Sequence, residues 1–158
     1  GSIVPISGSE LFKIEEQFAF NGEAKSLGQR RDFDFIKNMA FKYLNAPYQW
    51  GGKSPFGIDC SGLVQMVYKL AGYTLQRDAA QQYTQGKKLK AFDEIRPGDL
   101  VFFGKDNQPV NHVGIALADG KIIHASGHVR VDHLMEEGIL QAETKIYTHH
   151  FTGARGIL

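Results

Sequence analysis

The apolar periodicity of the chain changes at Pro97-Gly98. Between Asp32 and that point, apolar residues recur at spacings of three and four, the period of amphipathic helices. Downstream they run continuously or alternate, the pattern of strands. Helices followed by a run of antiparallel strands predict an α+β fold. Asp32 stands before Phe33, Ile36, Met39, Ala40, Tyr43 and Leu44, which predicts a capped helix ended by Asn45-Ala46-Pro47. Asp59 opens a second helix with Leu63, Val64, Val67, Tyr68 and Ala71 on one face and Gly72 as its stop. Asp78-Ala79-Ala80-Gln81 has capping-box form and starts a short third helix that ends by Gly86. Tyr48 to Gly57 is rich in Gly and Pro and reads as loop. Strands are expected at Leu100–Phe103, His112–Ala118, Lys121–Ala125 and His128–Leu134, with weaker ones near Lys145–Thr148 and Ala154–Leu158. Residues 3–28 show no helical period and read as extended chain or a small hairpin.

The 158 residues are one domain's worth, and a chain of that length buries roughly two-thirds of its unfolded surface without a disulfide or metal staple. A net charge of +1 argues against a nucleic-acid binder, and no apolar run approaches a bilayer span. The chain opens Gly1-Ser2, with neither Met nor secretory signal. Gly-Ser is a usual scar of tag removal, so this opening is weak evidence about compartment.

Cys60 is the single cysteine, so it forms no internal disulfide and no Cys-rich zinc motif. It falls in the first turn of the second helix, where unpaired N–H groups and the helix dipole favour negative charge and are expected to lower a thiol pKa. It also continues the apolar stripe of that helix, so a buried structural cysteine is an equal reading. The histidines weigh on this choice. A two-residue Asp119-Gly120 turn would put His112 and His124 on opposite faces of the sheet. A three-residue Ala118-Asp119-Gly120 loop pairs Leu117 with Lys121 and His124 with Gly114. His112 and His124 then become diagonal neighbours roughly 7–8 Å apart, within imidazole reach. The three-residue loop is the predicted one. His112 would take the thiol proton and His124 would orient its ring. Two ordinary sheet histidines are the structural alternative. Zinc on Cys60, His112 and His124 is another, but spacings of 52 and 12 residues match no compact zinc motif. No metal or cofactor is expected.

Five segments in order resemble the NlpC/p60 family of cysteine peptidases: Pro47-Tyr48-Gln49-Trp50-Gly51-Gly52, Gly57-Ile58-Asp59-Cys60-Ser61-Gly62-Leu63, Pro97-Gly98-Asp99-Leu100-Val101-Phe102-Phe103, His112-Val113-Gly114-Ile115 and Ile123-His124-Ala125-Ser126. The resemblance covers about residues 32–158 and implies a papain-like fold, with helices packed on a central antiparallel sheet. It implies Cys60 as nucleophile, His112 as base, His124 as the orienting residue and the Tyr48 hydroxyl near the oxyanion. Residues 51–62 with Arg77-Asp78-Ala79 look like the γ-D-glutamyl-L-diamino acid endopeptidase branch, of the dipeptidyl-peptidase VI type. That branch cuts peptidoglycan stem peptides bearing a free N-terminal L-Ala, and implies that Asp59 and Ser61 help bind the L-Ala-γ-D-Glu part. Arg77 is expected to make a structural ion pair, and His128, His133, His149 and His150 to lie on the surface. Members of the branch usually carry SH3-like domains upstream; residues 1–31 are too short for one and are expected to be a remnant, a linker or a segment packed on the catalytic domain. A bacterial envelope location, periplasmic or secreted, and a monomer follow as expectations, with cytoplasmic recycling of wall fragments as the alternative location. The alternatives are an amidase or acyltransferase on the same fold, and a non-catalytic wall-binding module.

Overall fold

The computed structural model describes residues 28–158. The reading of residues 3–28, and nearly all of the 1–31 segment, lies outside them. Helix α1 (Phe33–Phe41) is capped by Asp32, whose carboxylate accepts from the Phe35 N–H at 3.1 Å. It stops short of the expected Leu44. Asn45 turns the chain at φ 67° and donates its N–H to the Val129 carbonyl, and the Val129 N–H donates back to the Ala46 carbonyl. Strands β1 (Lys53–Ser54) and β2 (Gly57–Ile58) form a small hairpin in the stretch expected to be loop. Helix α2 (Cys60–Leu70) buries Leu63, Val64, Val67 and Tyr68 completely, and Gly72 ends it at φ 84°. The Tyr68 hydroxyl donates to the Gly98 carbonyl, tying the helix to the turn that starts the strands. Helix α3 (Ala79–Gln82) begins at Asp78, whose N–H donates to the Gln81 side chain at 3.1 Å.

The strands are β3 (Lys87–Lys88), β4 (Leu100–Phe103), β5 (His112–Leu117), β6 (Lys121–Ser126), β7 (His128–Met135), β8 (Gly138–Leu140) and β9 (Tyr147–Gly156). Consecutive strands from β4 to β8 pair antiparallel. The tail differs from expectation. It holds one ten-residue strand in place of two weak ones. The first part of β9 pairs with β8 and the second with β4, so the sheet closes on itself. Backbone ladders on both edges define β9, and its Thr-His-His-Phe-Thr-Gly sequence offers no apolar alternation to read.

The closed sheet separates two cores. On its outer face Leu100, Phe102, Val113, Ile115 and Ile123 pack against α1 and α2. The inner face holds Val101, Phe103, Ala116, Ile122, Leu134 and Ile139. This is the papain-like α+β arrangement, with the helix layer on one side of a curled antiparallel sheet. The predicted three-residue loop is present: Leu117 pairs with Lys121 and Gly114 with His124, with Asp119 and Gly120 at φ 58° and 62°.

Candidate active site

Cys60 is the first residue of α2 and is buried. Asp59, the N-cap, accepts from the Gly62 N–H at 2.7 Å and from the Gly51 N–H at 2.8 Å. One carboxylate thus fastens both the helix start and the glycine loop before it. The fit is close: a Cβ on Gly62 would lie 2.4 Å from the Gly52 carbonyl oxygen. Arg77 adds a two-pronged contact to Asp59 at 2.9 and 2.7 Å and donates to the Ser61 hydroxyl at 3.0 Å. The expected structural pair of Arg77 is therefore with Asp59. Burial pushes the Asp59 carboxyl up, but Arg77 and the Gly62 and Gly51 N–H groups outweigh it and leave a net lowering. From α3, the buried Gln82 amide donates to the Ser61 carbonyl at 3.1 Å.

Around the sulfur, the helix-start expectation of a lowered thiol pKa does not hold. Burial is the largest influence and pushes the Cys60 thiol up; the Val113, Ser61 and Cys60 N–H groups favour the thiolate without overcoming it. The Val113 N–H reaches the sulfur where the β5–β6 ladder, whose last pair is Gly114–His124, has ended. This contact brings the start of β5, and with it His112, to the Cys60 end of α2. Tyr48 arrives by a separate route. Its N–H bonds to the Gly127 carbonyl at the β6–β7 turn at 2.9 Å, and residue 48 bridges to Ile58. Its hydroxyl stays protonated: burial, Cys60 and Asp59 raise its pKa, and only Arg77 opposes them.

His112 and His124 share the inner face of the sheet. His112 Nε2 lies 2.8 Å from His124 Nδ1, and His124 Nε2 lies 2.9 Å from an Asp132 carboxylate oxygen. Asp132 was missed by sequence reasoning. It is two residues beyond Arg130, the β-pair partner of His124, and so reaches His124 on the same diagonal by which His124 reaches His112. Asp132 also accepts from Arg130 Nε at 2.7 Å and from the Ala142 N–H at 2.9 Å. Despite the burial of Asp132, these donors hold its carboxyl far below the usual carboxylate range. The charged carboxylate fixes the proton positions in turn. It accepts from His124 Nε2–H, so His124 Nδ1 is an acceptor; His112 Nε2–H then donates to it, leaving the lone pair of His112 on Nδ1. Burial is the main cause keeping His112 well below the ordinary imidazole pKa, with His149 and His124 adding to it.

His149 is the second residue that sequence reasoning missed. It is half-buried on β9 and stacks on His112, with centroids 4.0 Å apart and planes 21° apart. Burial, chiefly, lowers its pKa to about 4. Only a correct reading of β9 would have placed it here.

A profile of the NlpC/P60 family matches residues 45–155, spanning every part of this site. The chain belongs to the NlpC/P60 family. It is 34% identical over 134 residues to the gamma-D-glutamyl-L-lysine dipeptidyl-peptidase of Bacillus subtilis, covering 78% of this chain and 45% of that protein. Over 107 residues it is 41% identical to dipeptidyl-peptidase 6 of Lysinibacillus sphaericus, covering 65% of this chain and 36% of the relative. It spans less than half the length of these curated relatives. A crystal structure of an NlpC/P60 family protein from Bacillus cereus aligns with a TM-score of 0.69 and 30% identity, over 82% of this chain and 41% of that one. The NlpC/p60 domain of the peptidoglycan hydrolase SagA aligns with a TM-score of 0.63 and 32% identity, over 80% of this chain and all of that domain.

Proposed function

We propose that residues 32–158 form a cysteine peptidase domain that cuts the γ-D-glutamyl–diamino acid bond of bacterial peptidoglycan stem peptides. The observation that carries this reading is the Asp132–His124–His112 relay, which leaves a basic Nδ1 on the residue next to the amide that contacts the Cys60 sulfur. The names of the relatives support the bond chosen, since they include dipeptidyl-peptidases that act at γ-D-glutamyl-L-lysine.

Cys60 rests as a thiol and His112 as a neutral imidazole, so the thiol proton moves to His112 Nδ1 as sulfur attacks the γ-D-Glu carbonyl. The oxyanion is held by the first-turn N–H of Cys60 and by the Tyr48 hydroxyl. His124 and Asp132 stabilise the imidazolium that forms, as in other triad-type sites. His112 then protonates the leaving amine of the diamino acid. In the second half it takes a proton from the water that attacks the thioester, releasing L-Ala-D-Glu. No step calls on a metal or cofactor.

Asp59 and Ser61 border the dipeptide end of the substrate. The Asp59 carboxylate already serves Arg77 and two backbone N–H groups. Its contribution to substrate binding is therefore indirect: it fixes Arg77 and Ser61 beside the nucleophile. Action on wall-derived peptides is expected in the bacterial envelope.

The test is mass spectrometry of L-Ala-γ-D-Glu-diamino acid tripeptide, free and N-acylated, with wild type and Cys60→Ala. Release of L-Ala-D-Glu from the free peptide alone, lost in the variant, supports the dipeptidyl specificity. Release from both forms keeps the chemistry and shifts the role to intact-wall remodelling. Release by Cys60→Ala at the wild-type rate refutes the thiol mechanism.

A further inference from the structure

The thiol chemistry uses two of the three imidazoles gathered at this end of the closed sheet. His149 is the third. Its ring lies against His112, and the His124 ring stands at 86° to both, with centroids 5.1 and 5.7 Å away. One nitrogen from each of the three lies within 4.8 Å of the others. We propose that His112, His124 and His149 form a binding site for a divalent transition-metal ion of the zinc class, and that occupancy switches the hydrolase off.

The donor set suits such an ion. Imidazole is a ligand for zinc, copper and nickel, and three imidazoles with one open position match a common tetrahedral zinc arrangement. His112 Nε2 and His124 Nδ1 face each other at 2.8 Å across a single proton. An ion at about 2.0–2.1 Å from each would take that proton's place and spread the two nitrogens to about 3.3 Å. The remaining nitrogen of His124 is already bonded to Asp132 at 2.9 Å. Carboxylate–imidazole contacts of this kind orient metal-bound histidines and raise their basicity. His149 Nδ1 lies 2.9 Å from the Thr148 hydroxyl, which leaves Nε2 as the ligand atom. The site needs nothing from Cys60.

Inhibition follows from the tautomer. With the ion on Nε2, the single proton of neutral His112 moves to Nδ1. That nitrogen then has no lone pair with which to take the thiol proton. The ion binding rests on the spacing of the three nitrogens and requires the His149 ring to turn out of its stack on His112, so that its in-plane lone pair meets the ion; the loss of activity rests on the catalytic reading given under Proposed function.

Zinc is titrated calorimetrically into the full chain carrying Cys60→Ala, and cobalt(II) binding is followed by visible absorption. The expected result is one equivalent bound, with tetrahedral d–d bands and no sulfur-to-cobalt charge transfer. In the same background His149→Phe weakens zinc binding at least tenfold, with His149→Gln as the second variant if the first does not fold. His150→Phe, one residue away and exposed, leaves binding unchanged. Asp132→Asn weakens it by about 10–100-fold. In the chain with Cys60 intact, zinc inhibits, chelator restores activity, and His149→Phe raises the half-inhibiting concentration by the factor seen in the titration. Loss of zinc binding in Cys60→Ala, or equal affinity in His149→Phe and its parent, overturns the proposal. An absence of hydrolysis without added metal would count against the peptidase reading and leave the binding titration intact.

Discussion

Asp132→Asn is the sharpest perturbation of the relay. Four donors converge on this carboxylate: His124 Nε2 and Arg130 Nε on one oxygen, Arg130 Nη2 and the Ala142 N–H on the other. An asparagine has a single acceptor oxygen, so its amide NH2 must face two of the four. Each buried donor left unmade costs about 1–3 kcal/mol, and breaking a buried ion pair costs about 3–5 kcal/mol in total. At about 2–4 °C per kcal/mol for a domain of this size, Tm should fall by roughly 10 °C. Activity should fall further than stability explains. If the NH2 faces His124, the tautomers reverse along the chain and the proton ends on His112 Nδ1; if the oxygen does, the imidazolium still loses its counter-charge. Loss of the carboxylate in a related triad costs about 10⁴ in kcat. Here it acts through an intervening imidazole, so a fall of about 10²–10⁴ is expected, with KM little changed. The assay is tripeptide hydrolysis at 15 °C, where circular dichroism verifies that the variant is folded. A kcat within threefold of wild type would refute the claim that Asp132 sets the relay.

Because burial holds the Cys60 thiol up, its alkylation by iodoacetamide should rise through alkaline pH with a midpoint above the ordinary thiol value of about 8.5; a rate already at plateau by pH 6 would indicate a preformed thiolate–imidazolium pair. His112, His124 and His149 have depressed pKa values, so the unfolded chain takes up protons below about 6.5 that the folded chain does not, and stability falls with pH, for His149 down to about 4. The urea midpoint should therefore be lower at pH 5 than at pH 7, and His149→Phe should narrow the gap; equal midpoints in wild type would contradict this. Under the proposed mechanism Tyr48→Phe removes one oxyanion donor and should cost about 10²–10³ in kcat, with almost no shift in urea midpoint because the residue is 36% exposed; an unchanged kcat would remove Tyr48 from the proposed oxyanion site.

The parts of this site that were legible in the sequence are those fixed by local chemistry. Asp59 signals the start of α2 because a carboxylate before an apolar 3–4 pattern can meet first-turn N–H groups, and it does so at Gly62. The Ala118-Asp119-Gly120 loop sets the β5–β6 register through its two residues at positive φ, and that register alone puts His112 beside His124. Asp132 was only half legible. The alternation of Val129 and Val131 places it on the face opposite them, but its pairing depends on Gly127, a single residue at φ 71° between Ser126 and His128. No ordinary hairpin turn matches that connection. β8 is three residues long, too short for a period to appear, and β9 owes its course to two partner strands far away in sequence. From sequence alone, His149 therefore reads as a surface residue. The thiol pKa went the wrong way for a related reason: the helix start is local and visible, whereas burial of Cys60 is made by β5 and its neighbours.

The most direct test of thiol chemistry at Cys60 is to quench the chain during turnover of L-Ala-γ-D-Glu-diamino acid tripeptide and map its peptides by mass spectrometry. An L-Ala-γ-D-Glu acyl group should be found on the peptide carrying Cys60, formed and lost at rates consistent with turnover. Product release with no acyl adduct on that peptide would contradict a covalent mechanism.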